Sequence, residues 1–313
     1  MARAKVGIVG AGNVGASLAF LLAKLDICDV VMSDVVDGIP QGKSLDIMQS
    51  RTTGYHTSGS IGTTNVEVMN GCQIVVVTAG VPRKPNMTRE QLLEINVKIV
   101  HEVCSKIKNF QLKPILIIVT NPLDVMTYVA LKVTGFQRER VIGMAGTLDS
   151  ARMAHFIAEK VGVSPKDVQT MVLGSHGDSM VSMPRFTTIS GIPISNFLQK
   201  EEIDKICART RDGGAEIVAL LKTGSAFYAP ANSISILVES ILKDESRLFP
   251  CSVLLKGEYN LDNVVVGVPI ILGESGIKKI IQLELTDDET ASLHKSANVV
   301  SENIKIVNSM IPV

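Results

Sequence analysis

The sequence predicts an α/β protein, in which an N-terminal doubly wound parallel sheet is followed by a C-terminal α+β half. In the first half, short apolar runs alternate with longer amphipathic segments, which is the pattern of successive βαβ units. The runs are continuously apolar, as in Ile74–Val77, and strands have this composition when helices cover both faces of the sheet. After about residue 144 the alternation gives way to a mixture of strands, turns and long helices.

The chain of 313 residues is longer than a typical domain of about 150 residues, so we expect two domains. The change of pattern places them at residues 1–144 and 145–313. No linker rich in Gly, Ser or Pro separates the halves, which predicts two tightly packed domains with a cleft between them.

The predicted elements follow in chain order. The strands of the N-terminal half are Lys5–Val9, Asp29–Ser33, Gln73–Thr78, Pro114–Thr120 and Arg140–Met144. The second half begins with a helix at Leu148–Val161 and a strand at Val168–Leu173, and continues with helices around Glu201–Thr223 and Phe227–Leu242. Three strands then follow, at Cys251–Lys256, Val264–Leu272 and Ile277–Leu283, and a capping box at Thr286–Glu289 starts the last helix.

Charge and composition exclude several classes of protein. Lys plus Arg and Asp plus Glu each number 31, so no overall field attracts nucleic acid or an anionic membrane. The longest apolar stretches, such as Val264–Leu272, are shorter than the roughly 18 residues of a spanning helix. Because a strand already begins at Lys5, no signal sequence is expected before it, and we predict a cytoplasmic protein. The five cysteines are odd in number and lack a CxxC pair, which predicts reduced thiols and no metal site.

A glycine-rich turn follows the first predicted strand. Gly10, Gly12 and Gly15 are spaced as GxGxxG, with Asn13 and Val14 at the start of a helical pattern. The first glycine permits a tight turn, the second lets a pyrophosphate approach the backbone, and the third lets helix and strand pack closely. Because the motif stands between a strand and a helix, it predicts a Rossmann dinucleotide-binding domain.

Asp34 ends the second predicted strand, 19 residues after Gly15, near the spacing of a carboxylate that accepts the ribose hydroxyls of adenosine. Such a carboxylate repels a 2′-phosphate, and Val35 and Val36 supply no basic residue to accommodate one. The cofactor predicted is therefore NAD rather than NADP. The alternative is that the glycines only form a turn and Asp34 only ends a strand.

A second cluster of candidate residues lies around the predicted domain boundary. His176 follows a predicted strand and is flanked by glycines, which expose the ring at a strand end. Asp149 and Arg152 share one face of the preceding helix at i,i+3 spacing. In a functional interpretation Asp149 orients and charges the histidine, while Arg152 binds a carboxylate. Alternatively, His176 is a turn residue and Asp149 complements the helix dipole beside a surface arginine.

The loop at residues 79–91 contains two further arginines. It leaves a strand end through Gly and Pro residues and enters a helix through a capping box formed by Thr88 and Gln91. Arg83 lies within the loop, and Arg89 lies in the first helical turn, where the helix dipole disfavours a cation. The alternatives are a solvated basic loop and a pair of arginines that bind substrate.

Taken together, these motifs resemble the lactate/malate dehydrogenase family over essentially the whole chain, and the malate dehydrogenases most. The matching segments, in the order of the family, are Gly10–Gly15, Asp34, Val81–Arg89, Thr120–Asp124, Leu148–Arg152 and Ser175–Asp178. The resemblance implies an NAD-dependent enzyme of the tricarboxylic acid cycle, which transfers a hydride reversibly between (S)-malate or oxaloacetate and NAD(H). It also implies that the C-terminal α+β domain binds the substrate.

The resemblance assigns roles to individual residues. His176 is the proton donor and acceptor, with Asp149 holding its tautomer and stabilising its cation. Arg152 binds the carboxylate next to the reacting carbon, and Arg89 polarises the carbonyl. Asn121 contacts both substrate and cofactor.

Further assignments come from the same resemblance. Asn96 is assigned to the cofactor site. Arg83 would grip the second carboxylate of oxaloacetate, where lactate dehydrogenases usually have Gln, and Lys84 is its neighbouring competitor. The segment Thr223–Pro230 would line the pocket.

Two other functions stay open, a lactate or broad 2-hydroxy-acid dehydrogenase and a non-catalytic NAD-binding module. The partner predicted is a small dicarboxylate, with no nucleic acid, no membrane and no metal. The family also implies a homodimer or homotetramer.

Overall fold

A computed structural model describes residues 3–82 and 87–310 and contains a central nine-stranded sheet covered by helices. Six parallel strands from the N-terminal half form one side of the sheet. In chain order they are β1 Ala4–Val9, β2 Cys28–Ser33, β3 Ser60–Thr63, β4 Ile74–Val77, β5 Ile115–Ile118 and β6 Val141–Gly143. The helices of this half are α1 Asn13–Leu25, α2 Ile39–Gln49, α3 Arg51–Gly54, α4 Arg89–Ile107 and α5 Leu123–Thr134.

The parallel strands stand in the order β6-β5-β4-β1-β2-β3. The chain therefore builds outward in two directions from β1 and β4, and ligands of such sheets bind at the carboxyl ends of the strands where the order reverses. Strands β4 and β5 are buried along their whole length, which confirms the prediction from their continuous apolar runs.

All five strands predicted for the N-terminal half are present, but β3 was not predicted. This strand lies at the edge of the sheet and is only four residues long, and its isoleucine, Ile61, is 58% exposed. A short edge strand needs no continuous apolar run, so the sequence contains little signal for it.

Up to residue 310, the C-terminal half adds short strands, a long hairpin and four α-helices. The strands are β7 Val168–Gln169, β8 Val172–Leu173, β9 Val181–Ser182, β10 Thr188–Ile189, β11 Ile192–Pro193, β12 Arg247–Lys256, β13 Asp262–Gly273 and β14 Gly276–Ile280. The helices are α6 Gly146–Val161, α7 Lys200–Leu221, α8 Tyr228–Leu242 and α9 Asp287–Asn308. Strand β12 pairs antiparallel with β6 through Ser252 and Gly143, so the last three strands extend the N-terminal sheet.

The prediction of one continuous strand over Val168–Leu173 was wrong. The segment divides into β7 and β8, which belong to different small sheets. Between them, the hydroxyl of Thr170 donates to the carbonyl of Ser150, 2.7 Å away, and the backbone N–H of Val172 donates to the Ser150 hydroxyl at 3.0 Å. These bonds attach the segment to α6 and interrupt the ladder.

The cysteines are free thiols, and four of the five are buried. Burial raises the pKa of Cys28, Cys104 and Cys251 to about 12, so these thiols stay protonated near neutral pH. Over residues 3–82 and 87–310, no cluster of His, Cys, Asp or Glu is arranged to hold a metal ion. None of the helices in this part of the chain has the length and apolar character needed to cross a membrane.

Candidate active site

The glycine turn at residues 10–15 connects β1 to α1 at the carboxyl edge of the sheet. Gly10 has a φ of +107°, a conformation that favours glycine, and a Cβ there would lie 2.6 Å from the hydroxyl oxygen of Thr78. A Cβ on Gly15 would lie 1.9 Å from the carbonyl oxygen of Gly10, so close packing of α1 on β1 requires this glycine. Gly12 faces open space, with no atom within 4 Å of a Cβ position. The turn therefore has the open approach to the start of α1 that a pyrophosphate group requires.

Asp34 lies directly after β2 and contacts the same turn. One carboxylate oxygen accepts the backbone N–H of Ala11 at 2.7 Å, and the other accepts that of Val36 at 3.2 Å. Lys43 of α2 donates from its ammonium to the carbonyl of Ala11 at 2.6 Å. Asp34 thus fixes the turn, and its two oxygens keep lone pairs that could accept further donors. The contact of Lys43 was not predicted, because a lysine on an amphipathic helix gives no signal of its own.

The two asparagines assigned to the cofactor occupy different environments. The side chain of Asn121, after β5, is exposed. The side chain of Asn96 on α4 is buried, and its amide nitrogen donates to the carbonyls of Asn121, at 2.7 Å, and Val81, at 3.2 Å. Its amide oxygen accepts the backbone N–H of Val81 at 2.9 Å. The contacts of Asn96 thus join the segments that follow β4 and β5.

His176, Asp149 and Arg152 meet in one cluster, which we call the His176 cluster. Nδ1 of His176 lies 2.8 Å from a carboxylate oxygen of Asp149, and Nη1 of Arg152 lies 3.1 Å from the other oxygen. The side chain of Asp149 is 2% exposed, whereas those of His176 and Arg152 are 17% and 12% exposed. A buried carboxylate therefore holds two partly exposed groups at its two oxygens.

The electrostatics of the cluster raise the pKa of the His176 imidazole. Burial acts to lower the pKa of His176, but the charge of Asp149 and its hydrogen bond outweigh burial, and the pKa is raised above 6.5. Arg152 opposes this rise, and the carboxylate of Asp124 adds to it. The cluster therefore stabilises the imidazolium relative to that of a free histidine, and Nδ1 is the nitrogen that faces Asp149.

Arg152 keeps unused hydrogen-bonding capacity. Its Nε is buried and has no hydrogen-bond partner among residues 3–82 and 87–310. A planar carboxylate presented to this guanidinium would supply an acceptor that the described part of the protein does not.

Arg89 is the first residue of α4, as the capping box at Thr88 and Gln91 predicted. One of its terminal nitrogens lies 2.7 Å from the carboxylate of Asp178, two residues after His176 in the same loop. Both side chains are more than three-quarters exposed. The structure thus places Arg89 beside the His176 loop but in contact with Asp178, a partner that the sequence did not predict.

Arg83, the predicted determinant of substrate choice, and its neighbour Lys84 lie outside the described residues. The segment Thr223–Pro230 lies between α7 and α8 and continues into the first turn of α8.

Sequence reasoning assigned no role to Asp124 and Ser252. Asp124 accepts the backbone N–H of His176 at 2.9 Å, and its other oxygen accepts a hydrogen bond from the Ser252 hydroxyl. The available signals were the position of Asp124 at the end of the family-like segment Thr120–Asp124 and its place as an acidic residue at the start of the apolar pattern of α5. An acid in a first helical turn usually needs no further explanation.

The two halves of the chain match two family models, one for each domain of a single enzyme family. Residues 4–143 match the lactate/malate dehydrogenase NAD binding domain, and residues 146–311 match the lactate/malate dehydrogenase alpha/beta C-terminal domain. The chain therefore belongs to the lactate/malate dehydrogenase family.

Individual relatives are similar over nearly their full length. The malate dehydrogenase of Nostoc sp. (strain PCC 7120) is 52% identical, over 96% of this chain and 93% of its own. The solved structure of malate dehydrogenase from Picrophilus torridus has a TM-score of 0.95 at 41% identity, with 98% of each chain covered. A lactate dehydrogenase from Eimeria maxima, solved with NADH and oxamate, has a TM-score of 0.95 at 39% identity, covering 99% of this chain and 96% of that one.

Proposed function

We propose that this protein is an NAD-dependent malate dehydrogenase, which interconverts (S)-malate and oxaloacetate. The observation that carries the proposal is the bonding of one buried carboxylate, Asp149, to both His176 and Arg152. A proton-transferring imidazole beside a carboxylate-binding guanidinium suits the oxidation of a 2-hydroxy acid. The relatives that are 46–52% identical to this chain and are named malate dehydrogenase support malate as the substrate.

In the proposed reaction His176 moves a proton at the substrate oxygen. Neutral imidazole accepts the hydroxyl proton when malate is oxidised, and imidazolium returns it when oxaloacetate is reduced. The charge and hydrogen bond of Asp149 raise the pKa of His176 and so stabilise the imidazolium, the form that donates the proton in the reduction of oxaloacetate. Asp149 orients the ring through Nδ1, which leaves Nε2 for the substrate.

Arg152 binds the carboxylate next to the reacting carbon, and Arg89 polarises the carbonyl as negative charge develops on its oxygen. For this role the guanidinium of Arg89 must exchange Asp178 for the substrate. The partners of that ion pair are exposed, so breaking it costs little, about 1 kcal/mol or less.

The cofactor proposed is NAD, which accepts or supplies the hydride when it is bound. Gly10, Gly12 and Gly15 with Asn13 and Val14 would hold the pyrophosphate, and Asp34 the adenosine ribose. Asn121 would face the nicotinamide end, while Asn96 would act through its bond to the Asn121 carbonyl.

Substrate choice is assigned to Arg83, on sequence grounds alone. A guanidinium there would bind the second carboxylate of oxaloacetate. Pyruvate would be disfavoured, because its methyl group would leave the charge of this guanidinium buried and unpaired. Lactate dehydrogenase is the second candidate function, favoured by the similarity to solved lactate dehydrogenases at 37–39% identity.

The test is the loss of NADH absorbance with oxaloacetate and, separately, with pyruvate, using purified protein at neutral pH. Rapid turnover of oxaloacetate with little turnover of pyruvate is expected. A preference for pyruvate would assign the protein to lactate, and no turnover of either would favour a non-catalytic NAD-binding module.

We further propose two domains divided at residues 144 and 145, and a homodimer or homotetramer. Large apolar side chains exposed on the monomer support an oligomer, among them Leu45 and Leu220, which are 60% and 75% exposed. Light scattering would measure the mass against 33.6 kDa for one chain. A cytoplasmic location and a role in the tricarboxylic acid cycle stay predictions. Fractionation of cells would test the cytoplasmic location.

A further inference from the structure

Asp124 is a buried carboxylate beside the His176 cluster that the proposed chemistry does not use. It is the second residue of α5 and is 4% exposed. One oxygen accepts the backbone N–H of His176 at 2.9 Å, and the other accepts the hydroxyl of Ser252, which is fully buried on β12. The side chain therefore connects α5, β12 and the loop that carries His176.

A buried carboxylate is costly unless its oxygens have hydrogen-bond donors. Burial raises the pKa of Asp124, and the hydrogen bonds from Ser252 and from the backbone of His176 act in the opposite direction. An apolar residue could fill the same space in α5 without this cost. The contact with His176 is therefore a reason for an acid at this position.

The residues before His176 have anchors of their own. Gly174 forms a two-way backbone bridge with Gly267 of β13, with both N–H to O distances at 2.9 Å. The backbone N–H of Ser175 donates to the hydroxyl of Ser296 on α9 at 2.8 Å. Asp124 is the group that holds the backbone N–H of His176 itself, while Asp149 holds its ring.

We propose that Asp124, supported by Ser252, is a positioning residue that fixes the backbone of His176 so that the ring faces the substrate. The inference rests on the proposed role of His176 as the acid and base. Two carboxylates then hold the histidine at separate points, one at the ring and one at the main chain.

Several charges surround His176, and they define what a variant would change. Asp149 and Arg152 face it from α6 and Asp124 faces it from α5, while Asp178 on its own loop pairs with Arg89 of α4. Asn at position 124 can still accept the His176 N–H through its amide oxygen and donate to the Ser252 hydroxyl. This variant therefore removes the charge and keeps the hydrogen bonds.

The experiment compares Asp124→Ala with Asp124→Asn in oxaloacetate reduction. Asp124→Ala is expected to lower kcat by about tenfold to a hundredfold, the loss of one strong hydrogen bond, with the Kd of NADH unchanged within about twofold. Asp124→Asn is expected to recover most of that kcat. The midpoint of the pH dependence of kcat in Asp124→Asn should move to lower pH, because the imidazolium of His176 loses one favourable negative charge.

Ser252→Ala provides a second test if Asp124→Ala does not fold, with Ser240→Ala as its matched control. Ser240 lies on α8, and its hydroxyl is also fully buried. This hydroxyl donates to the carbonyl of Leu272 on β13 rather than to a carboxylate. Ser252→Ala should lower kcat by about threefold to tenfold through the loosened carboxylate, and Ser240→Ala should leave kcat unchanged.

The inference is overturned if Asp124→Ala keeps kcat within about twofold of the wild type. It is also overturned if Asp124→Asn is as impaired as Asp124→Ala, or if the two serine variants have equal kcat values. Wild type and His176→Asn are measured alongside. Normal wild-type turnover that His176→Asn abolishes preserves the proposed function even where the Asp124 inference fails, whereas a wild type without turnover overturns both.

Discussion

The glycine turn and the His176 cluster are built on different physical principles. The turn depends on the shape of the main chain, since Gly15 removes a clash with Gly10 and Gly12 leaves open space. The cluster depends on buried charge, since Asp149 is 2% exposed and holds two cationic or titratable partners. Substitutions in the turn should therefore act through steric contacts, and substitutions in the cluster through charge and proton transfer.

The largest effect is expected from His176→Asn, which removes the proton-transferring group from the cluster. We expect kcat to fall by about 10²–10⁴-fold, the usual contribution of general acid–base catalysis. NADH binding, measured by fluorescence titration, should stay normal because the glycine turn is untouched. Near-normal turnover in this variant would remove His176 from the mechanism.

Arg83→Gln should have the next largest effect, since it removes the proposed partner of the second carboxylate. We expect kcat/KM for oxaloacetate to fall by about 10–100-fold, the value of a charge-assisted hydrogen bond, with NADH binding unchanged. Lys84→Gln is the matched control and should be far milder. Equal losses of turnover and of NADH binding would refute the assignment of Arg83.

Gly15→Ala and Gly12→Ala separate the two steric roles within the turn. A Cβ on Gly15 would overlap the Gly10 carbonyl, so the free energy of unfolding without cofactor should fall by about 1–3 kcal/mol. Gly12 has an ordinary φ of −68° and open surroundings, so its variant should keep its stability within about 0.5 kcal/mol and lose NADH affinity.

Urea unfolding and NADH titration of both glycine variants provide the measurement. A Gly12→Ala protein that binds NADH as tightly as the wild type would argue against a pyrophosphate at this turn. A fully stable Gly15→Ala protein would argue against the close packing of α1 on β1.

The smallest effect expected is a shift in pH dependence. Reduction of oxaloacetate needs the imidazolium, so the rate should fall as pH rises through the pKa of His176, with a midpoint above 6.5. Asp149→Asn should lower that midpoint, because burial and Arg152 then act on His176 without their main opponent. The check is kcat/KM from pH 5 to 9, and an unchanged midpoint would contradict the role of Asp149.

The sequence predicted much of the fold from local patterns. The five N-terminal strands and the capped start of α4 were readable because continuous apolar runs and capping boxes are local features. The edge strand β3 and the division of Val168–Leu173 into β7 and β8 were not, because both depend on pairing with distant segments. The hydrogen bonds between Ser150 on α6 and that segment join residues separated by about one helix and one turn of the chain. The periodicity of the sequence does not predict such bonds.

The candidate site divides in the same way. The i,i+3 spacing already placed Asp149 and Arg152 on one face of α6, and their bond is present. Arg89 contacts Asp178 across a sequence separation of 89 positions, and Asp124 contacts His176 across a separation of 52 positions. At such separations, spacing alone contains no information about which side chains meet.

The sequence by itself determined the βαβ order, the glycine turn with its carboxylate Asp34, and the residue types of the cluster around His176. These features follow from backbone sterics, hydrophobic periodicity and the chemistry of single side chains, which act over a few residues. Only the tertiary structure decided that β12 extends the N-terminal sheet. It alone also decided that Asp124 accepts hydrogen bonds from the backbone of His176 and from the hydroxyl of Ser252. Such contacts depend on how buried polar groups far apart in the chain find partners, and the whole fold must form before those partners exist.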